Sequence, residues 1–171
     1  VLATDTDTDK AKSLFQALPS EQIQFIPLDI IDSDSIDQAI ASGVKQFGAL
    51  DAGVNAAYPH TTKWGTTFEN LEMEDLQENL KLQLGGAIIL SQRIMKHFVE
   101  QGHGNLIHIS SIMGIVAPKF ENYEGTKMTS PIEYAAAKSG IISMTRWLAK
   151  YYKNNNIRVN CVSPGGILDQ Q

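Results

Sequence analysis

Apolar residues recur along this chain with two spacings, and the switches between them divide it into alternating elements. Residues 1–4 read as a strand; Ala11, Leu14, Phe15 and Leu18 then recur at helical spacing until Pro19 closes the helix. A second strand over 24–28 leads into a helix over 33–47, whose apolar stripe is Ile36, Ile40, Val44 and Phe47 and whose stop is Gly48. Residues 50–57 form a third strand candidate. A long helix over 75–99 follows, in which Gly85-Gly86 implies close packing against a neighbour, and 105–110 is a fourth strand. Ser130, Pro131 and Glu133 have the order of a capping box with proline in the first turn, which predicts a helix running to about Tyr152. The last strand, 157–162, is broken by Ser163-Pro164-Gly165-Gly166.

Strands alternating with long helices require crossover connections, so the expected fold is α/β: a doubly wound parallel sheet of the Rossmann type, in a single domain. A length of 171 residues and 43% hydrophobic content suit one domain, and no repeat or linker marks a second. The net charge of -5 leaves no basic stripe, which argues against nucleic acid. One cysteine, Cys161, fits a reducing cytoplasm. No apolar run approaches the ~20 residues of a membrane span. Because Val1 already stands in a strand, the expectation is a domain truncated at both ends, without the glycine-rich phosphate loop that opens such folds.

Open parallel sheets bind ligands beyond the carboxyl ends of their strands. Those ends are Asp5, Asp29, Asn55-Ala56-Ala57, Ser110-Ser111 and Ser163 to Gly166, and all five are expected on one rim. Tyr134 and Lys138 lie four apart on one helix face. A cation at ~4.5 Å in an effective dielectric of ~20 favours a phenolate by about 3 to 4 kcal/mol, so the pair can work as an acid/base. Asp5, Asp7 and Asp9 superficially suggest a calcium loop, but Lys10 and Gln16 occupy the positions of its glycine and bidentate glutamate. His108 alternates within a strand and reads as packed, His97 and His103 lie near a helix end at the surface, and His60 alone is near the rim. None has metal-ligand spacing, and no metal is expected.

Four ordered stretches, Val54 to Ala57, Asn105 to Ser111, Tyr134 to Lys138 and Ile157 to Gly165, resemble the compact form of the short-chain dehydrogenase/reductase family over nearly the whole chain. The resemblance implies an oxidoreductase acting on a carbonyl or alcohol, with Tyr134 as acid/base and Lys138 supporting it and holding the nicotinamide ribose. It makes Ser111 the contact to the substrate oxygen, with Ser110 facing the other way. Its cofactor-binding set is Asp5, Asp29, Ile30, Asn55, Ala56, Ala57, Tyr134, Lys138, Pro164, Gly165 and Ile167. Asp5 beside the ribose hydroxyls favours NAD over NADP, and Asp29 has a competing use as cap of the 33–47 helix. The family's long helices pair across two-fold axes, which implies a homodimer or homotetramer acting on a small molecule.

Three departures stand out. Gln83 occupies the place of a catalytic asparagine that holds a proton-relay water, Ala56 and Tyr58 replace an asparagine and a glycine of the Asn55 turn, and 119–130 is an insertion that would form a lid or wall. With Ala57-Tyr58-Pro59, the stretch 117–138 also resembles bacterial members of surface-glycan and nonulosonic-acid pathways. The competing reading is a catalytically silent nucleotide-binding or regulatory domain.

Overall fold

A computed structural model describes residues 1–15, 23–126 and 128–166 of the chain. In order the elements are β1 (Leu2–Asp5), α1 (Thr8–Phe15), β2 (Gln24–Pro27), α2 (Ser33–Phe47), β3 (Ala52–Asn55), α3 (Met73–Leu80), a π-helical turn (Lys81–Gly85), α4 (Gly86–Gln101), β4 (Gly104–Ile109), α5 (Ile132–Tyr151) and β5 (Ile157–Val162). The pattern of apolar positions anticipated nearly all of them. Leu18, Pro19, Gln16 and Ile167 lie outside the described residues.

The boundaries that moved did so for local reasons. β3 is shorter than expected because the Gln101 side chain takes both backbone groups of Leu50, donating to its carbonyl at 3.1 Å and accepting from its N–H at 3.2 Å. The cap of α2 is Asp32, whose carboxylate accepts from the N–H groups of Asp34 and Ser35, and not Asp29. Nor does a capping box start α5. Pro131 is the N-cap, its carbonyl accepting from Tyr134 N–H at 3.2 Å, and Glu133 is drawn into the interior, where neither carboxylate oxygen has a partner among the described residues. The long helix is interrupted by the π turn at Lys81–Gly85. Of the two glycines there only Gly86 is a close-packing site, since a Cβ on it would lie 2.7 Å from Ile30 Cδ1.

All pairings are parallel, and among the described residues the sheet is in two parts, β1-β2 and β3-β4-β5. Residues of β1 and β3 line opposite sides of a cavity of about 710 Å³ between the parts. Since β1 faces β3, the chain steps outward from β1 to β2 and then returns past β1, and right-handed crossovers put α1 on the opposite face from α2, α4 and α5. That reversal is the topological switch point of a doubly wound fold. The main core joins α4, α5, β4 and β5 through Met95, Phe98, Leu106, Leu148, Ile157 and Val159. A smaller cluster of Ile30, Ile36 and Leu90 holds α2 against α4 and anchors the β1-β2 side.

Candidate active site

Two groups of predicted residues assemble at the strand ends. The first surrounds the slot: Asp5, Asp29, Ile30, Asn55, Ala56 and Ala57 all line it. Asp5 is exposed at the end of β1 and its Oδ1 accepts from Asp7 N–H, while Asp7 in turn accepts from Lys10 N–H at the start of α1. Asp29 closes a tight turn by accepting from Ile31 N–H at 3.0 Å, and its own N–H donates to Ser35 Oγ. The Ile30 side chain is turned into the core against Gly86.

Asn55 is buried and wired in from two sides. Its Oδ1 accepts from Ala57 N–H at 3.2 Å, shaping the turn, and its Nδ2 faces His108 Nδ1 at 3.4 Å. On the other edge of that imidazole, Nε2 is 3.2 Å from Ser91 Oγ, whose own hydrogen goes to the Ala87 carbonyl at 2.6 Å. One tautomer satisfies every partner: Nε2 carries the hydrogen and Nδ1 accepts from Asn55. Burial lowers the His108 pKa to about 4, and a second ring hydrogen would point at the Asn55 amide donor. His108 is therefore more than packing; it holds the Asn55 turn. His97, expected at the surface, instead lines the slot, with Nε2 buried.

The second group forms where β4 and α5 meet. Lys138 is buried, its ammonium donating to the Ile109 carbonyl at 3.0 Å, and burial lowers its pKa. The same nitrogen lies 5.5 Å from the ring centroids of both Tyr134 and Tyr58. The two serines diverge as alternation along a strand requires. Ser110 Oγ is spent on the Lys138 carbonyl at 2.9 Å, and Ser111 caps the short 3₁₀ turn Ile112–Gly114 by accepting from Met113 N–H. Gly114 runs so close to α5 that a Cβ on it would lie 2.7 Å from the Lys138 backbone. Pro164 joins this group by accepting from Ile112 N–H at 3.0 Å, with Gly165 exposed beside it. Gln83 is buried within the π turn, and neither atom of its amide has a partner among the described residues. Interruptions of this kind are frequent at functional sites.

Sequence reasoning left one cluster unassembled. Tyr58, His60 and Trp64 gather around Tyr134: Tyr58 and Trp64 meet its ring edge-on at 5.8 and 6.0 Å, and His60 stacks on Trp64 at 6.1 Å. The clue was an aromatic residue, Tyr58, at a turn where the resemblance calls for glycine. The insertion is tied to the same place through Thr129 Oγ1, which donates to the Gly65 carbonyl. No three metal-ligating side chains converge among the described residues, and no helix there is long and apolar enough to cross a membrane.

A family model described as short chain dehydrogenase matches residues 1–170. Post-translational flagellin modification protein A of Campylobacter coli is 41% identical over 172 residues, covering 100% of this chain and 64% of that protein. A 3-oxoacyl-[acyl-carrier-protein] reductase of Thermotoga maritima is 30% identical, covering 98% of this chain and 63% of its own length. The chain thus spans less than two thirds of these relatives. Among solved structures, a putative short-chain dehydrogenase/reductase from Burkholderia xenovorans superposes with a TM-score of 0.79 at 28% identity, covering 98% of this chain and 62% of that one. ElxO with NADPH bound superposes at 0.82 and 24% identity, covering 99% and 64%, a likeness of fold alone.

Proposed function

The chain belongs to the short-chain dehydrogenase family, and on that footing we propose that the full-length protein transfers hydride between NAD(H) and a carbonyl or alcohol carbon of a small molecule, with sugar derivatives as its substrate class. The observation that carries this reading is the pinned Lys138 beneath Tyr134. The ammonium is held by Ile109 at the end of β4, so its charge bears on the phenol through a fixed geometry.

The strand ends at the rim of the slot suit a dinucleotide. The exposed Ala56 and Ala57 offer a wall of small side chains there, and Asp5 can accept from ribose hydroxyls. Asp29, Asn55 and the backbone of Ile30 belong to the same wall, and Pro164 and Gly165 border the site from β5. The bound nicotinamide supplies or takes up the hydride. Tyr134 gives the proton to the carbonyl oxygen in reduction and removes it from the hydroxyl in oxidation. Lys138 favours the phenolate and binds ribose, while Ser111 holds the reacting oxygen. Gln83, with its amide unpartnered, stands ready to hold a relay water, and NAD is preferred over NADP because Asp5 repels a phosphate on the ribose.

The apolar edges of β1 and β3, facing each other across the slot, suit a further parallel strand from the full-length protein. The exposed Ile88, Val99, Trp147 and Tyr151 on α4 and α5 suit a homodimer or homotetramer in the cytoplasm, and sedimentation as a monomer alone would count against it. The decisive experiment is Tyr134→Phe in the full-length protein. Turnover should fall by about 10² to 10⁴ while NAD(H) still binds, and near-normal turnover would favour the silent-domain reading. Fluorescence titration with NADH and NADPH tests the cofactor; equal or tighter NADPH binding refutes the preference.

A further inference from the structure

Beside the catalytic pair stands a surface that neither hydride transfer nor cofactor binding uses. Tyr58, His60 and Trp64 belong to one loop, and that loop is firmly held. Asn79, buried in α3, accepts from Thr61 N–H at 3.1 Å. Lys63 reaches Asp75 at 3.0 Å and Glu72 at 3.5 Å, and Thr129 of the inserted segment donates to Gly65, a residue with φ of +91°. The rings are mutually packed as well, with Tyr58 edge-on to Trp64 at 5.7 Å and to His60 at 5.6 Å. Despite this packing Tyr58 remains 46% exposed and His60 is exposed, so a preformed aromatic surface lies open beside Tyr134. A preorganised, solvent-facing aromatic surface next to a reacting group is a binding surface in want of an occupant.

We propose that Tyr58, His60 and Trp64 form the substrate-selecting wall of the site and take one face of a pyranose ring, whose axial C–H groups lie on the aromatic surface while its hydroxyls meet the polar edges. This rests on the reading of Tyr134 as the acid/base, because the wall selects only what must also reach that residue. Two features of the wall choose the ligand class. The first is that a positive charge is already present: Lys138 lies under the Tyr58 and Tyr134 rings at 5.5 Å, which satisfies their attraction for a cation and disfavours a second one. The second is that the wall is amphipathic. His60 offers its ring nitrogens, and Tyr58 offers its hydroxyl from a ring that stays half exposed. Burial first, and the neighbouring Tyr134 second, raise the Tyr58 pKa to about 12, so it stays a donor throughout the working pH range. A wholly apolar ring would strip water from these edges and offer nothing in return. An open-chain polyol would match the edges but present no flat C–H face.

The test uses the full-length protein with NAD(H), and a hexopyranoside, its open-chain alditol and cyclohexanol as probes, followed by saturation-transfer NMR. The wild type should show transfer to the C–H groups of one pyranoside face and bind it ahead of both other probes. Trp64→Leu should weaken pyranoside binding by about tenfold, and Trp64→Phe, which restores a ring, should recover most of it; unchanged NADH affinity in both checks that the fold is intact. Wild-type binding of the alditol or cyclohexanol as tightly as the pyranoside overturns the proposal, as does wild-type-like binding in Trp64→Leu, or no pyranoside binding at all. Tyr134→Phe separates this from the underlying reaction. Lost turnover with retained pyranoside binding supports both readings, whereas retained turnover sinks the acid/base role and leaves the wall to be judged by Trp64 alone.

Discussion

The two parts of the sheet are built to different standards. In β3-β4-β5, alternate residues of β4 are buried against α4 and α5, and several polar groups brought inside are wired: Ser110 to Lys138, Lys138 to Ile109, Asn55 to His108 and His108 to Ser91, while Asn105 Oδ1, the Gln83 amide and the Glu133 carboxylate have no partner among the described residues. In β1-β2 no strand residue is fully buried, and Asp5 and Asp29 are satisfied mainly by their own turns. The contrast follows chemical need. Under the proposed reaction, proton transfer demands placement to a fraction of an ångström, and α5, which carries Tyr134 and Lys138, is packed into the main core. Discrimination between cofactors by charge tolerates a looser acidic side chain, because Coulomb repulsion falls off gradually with distance.

If that contrast holds, substitutions in the catalytic part divide into those that harm function and those that harm stability. Lys138→Met should have the largest effect of all, cutting turnover by about 10² to 10⁴, or about 3 to 5 kcal/mol in the barrier. It should leave thermal stability unchanged or raised, because burial opposes the ammonium it removes. Paired kinetics and melting curves check this, and a large loss of stability would mean the lysine is a structural post.

Acid should expose the cost of the buried imidazole. His108 titrates at about 4 when folded and near 6.5 when unfolded, so the unfolded chain takes up the proton first. Its contribution is fully present above pH 6.5 and drains away as pH falls toward 4, to a total of about 3 kcal/mol. Denaturant melts from pH 7 to 4 should show this slope, and His108→Asn should flatten it. An unchanged slope in the variant would place the acid sensitivity elsewhere.

A smaller loss is expected where backbone meets backbone. Gly114→Ala would put a Cβ 2.7 Å from the Lys138 backbone, and the cost should be about 1 to 3 kcal/mol with a parallel fall in turnover. Gly166→Ala, with nothing within 4 Å of its Cβ position, is the control. In the β1-β2 part, Asp5→Ser should leave stability nearly unchanged and move the NADH to NADPH affinity ratio by about tenfold toward NADPH. A melting shift as large as that of Gly114→Ala would erase the distinction between the two parts.

The order of strands and helices, the parallel α/β class and the shared helix face of Tyr134 and Lys138 were legible in the linear chain, because each depends on short-range periodicity or on spacing within one element. Tyr134 and Lys138 share a face whenever that stretch is helical, whatever surrounds it. Caps and polar partners were less legible. Asp32, and not Asp29, caps α2, and Glu133 is buried without a partner among the described residues, because the exact first turn of a helix is set by how the whole helix seats against its neighbours. The division of the sheet, the service of His108 to Asn55 and the gathering of Tyr58, His60 and Trp64 around Tyr134 were decided by tertiary structure alone. Asn55 and His108 are 53 positions apart, and Tyr58 and Tyr134 are 76, so no local pattern records that they touch. Only the crossovers that bring strand ends to one side of a sheet make them neighbours.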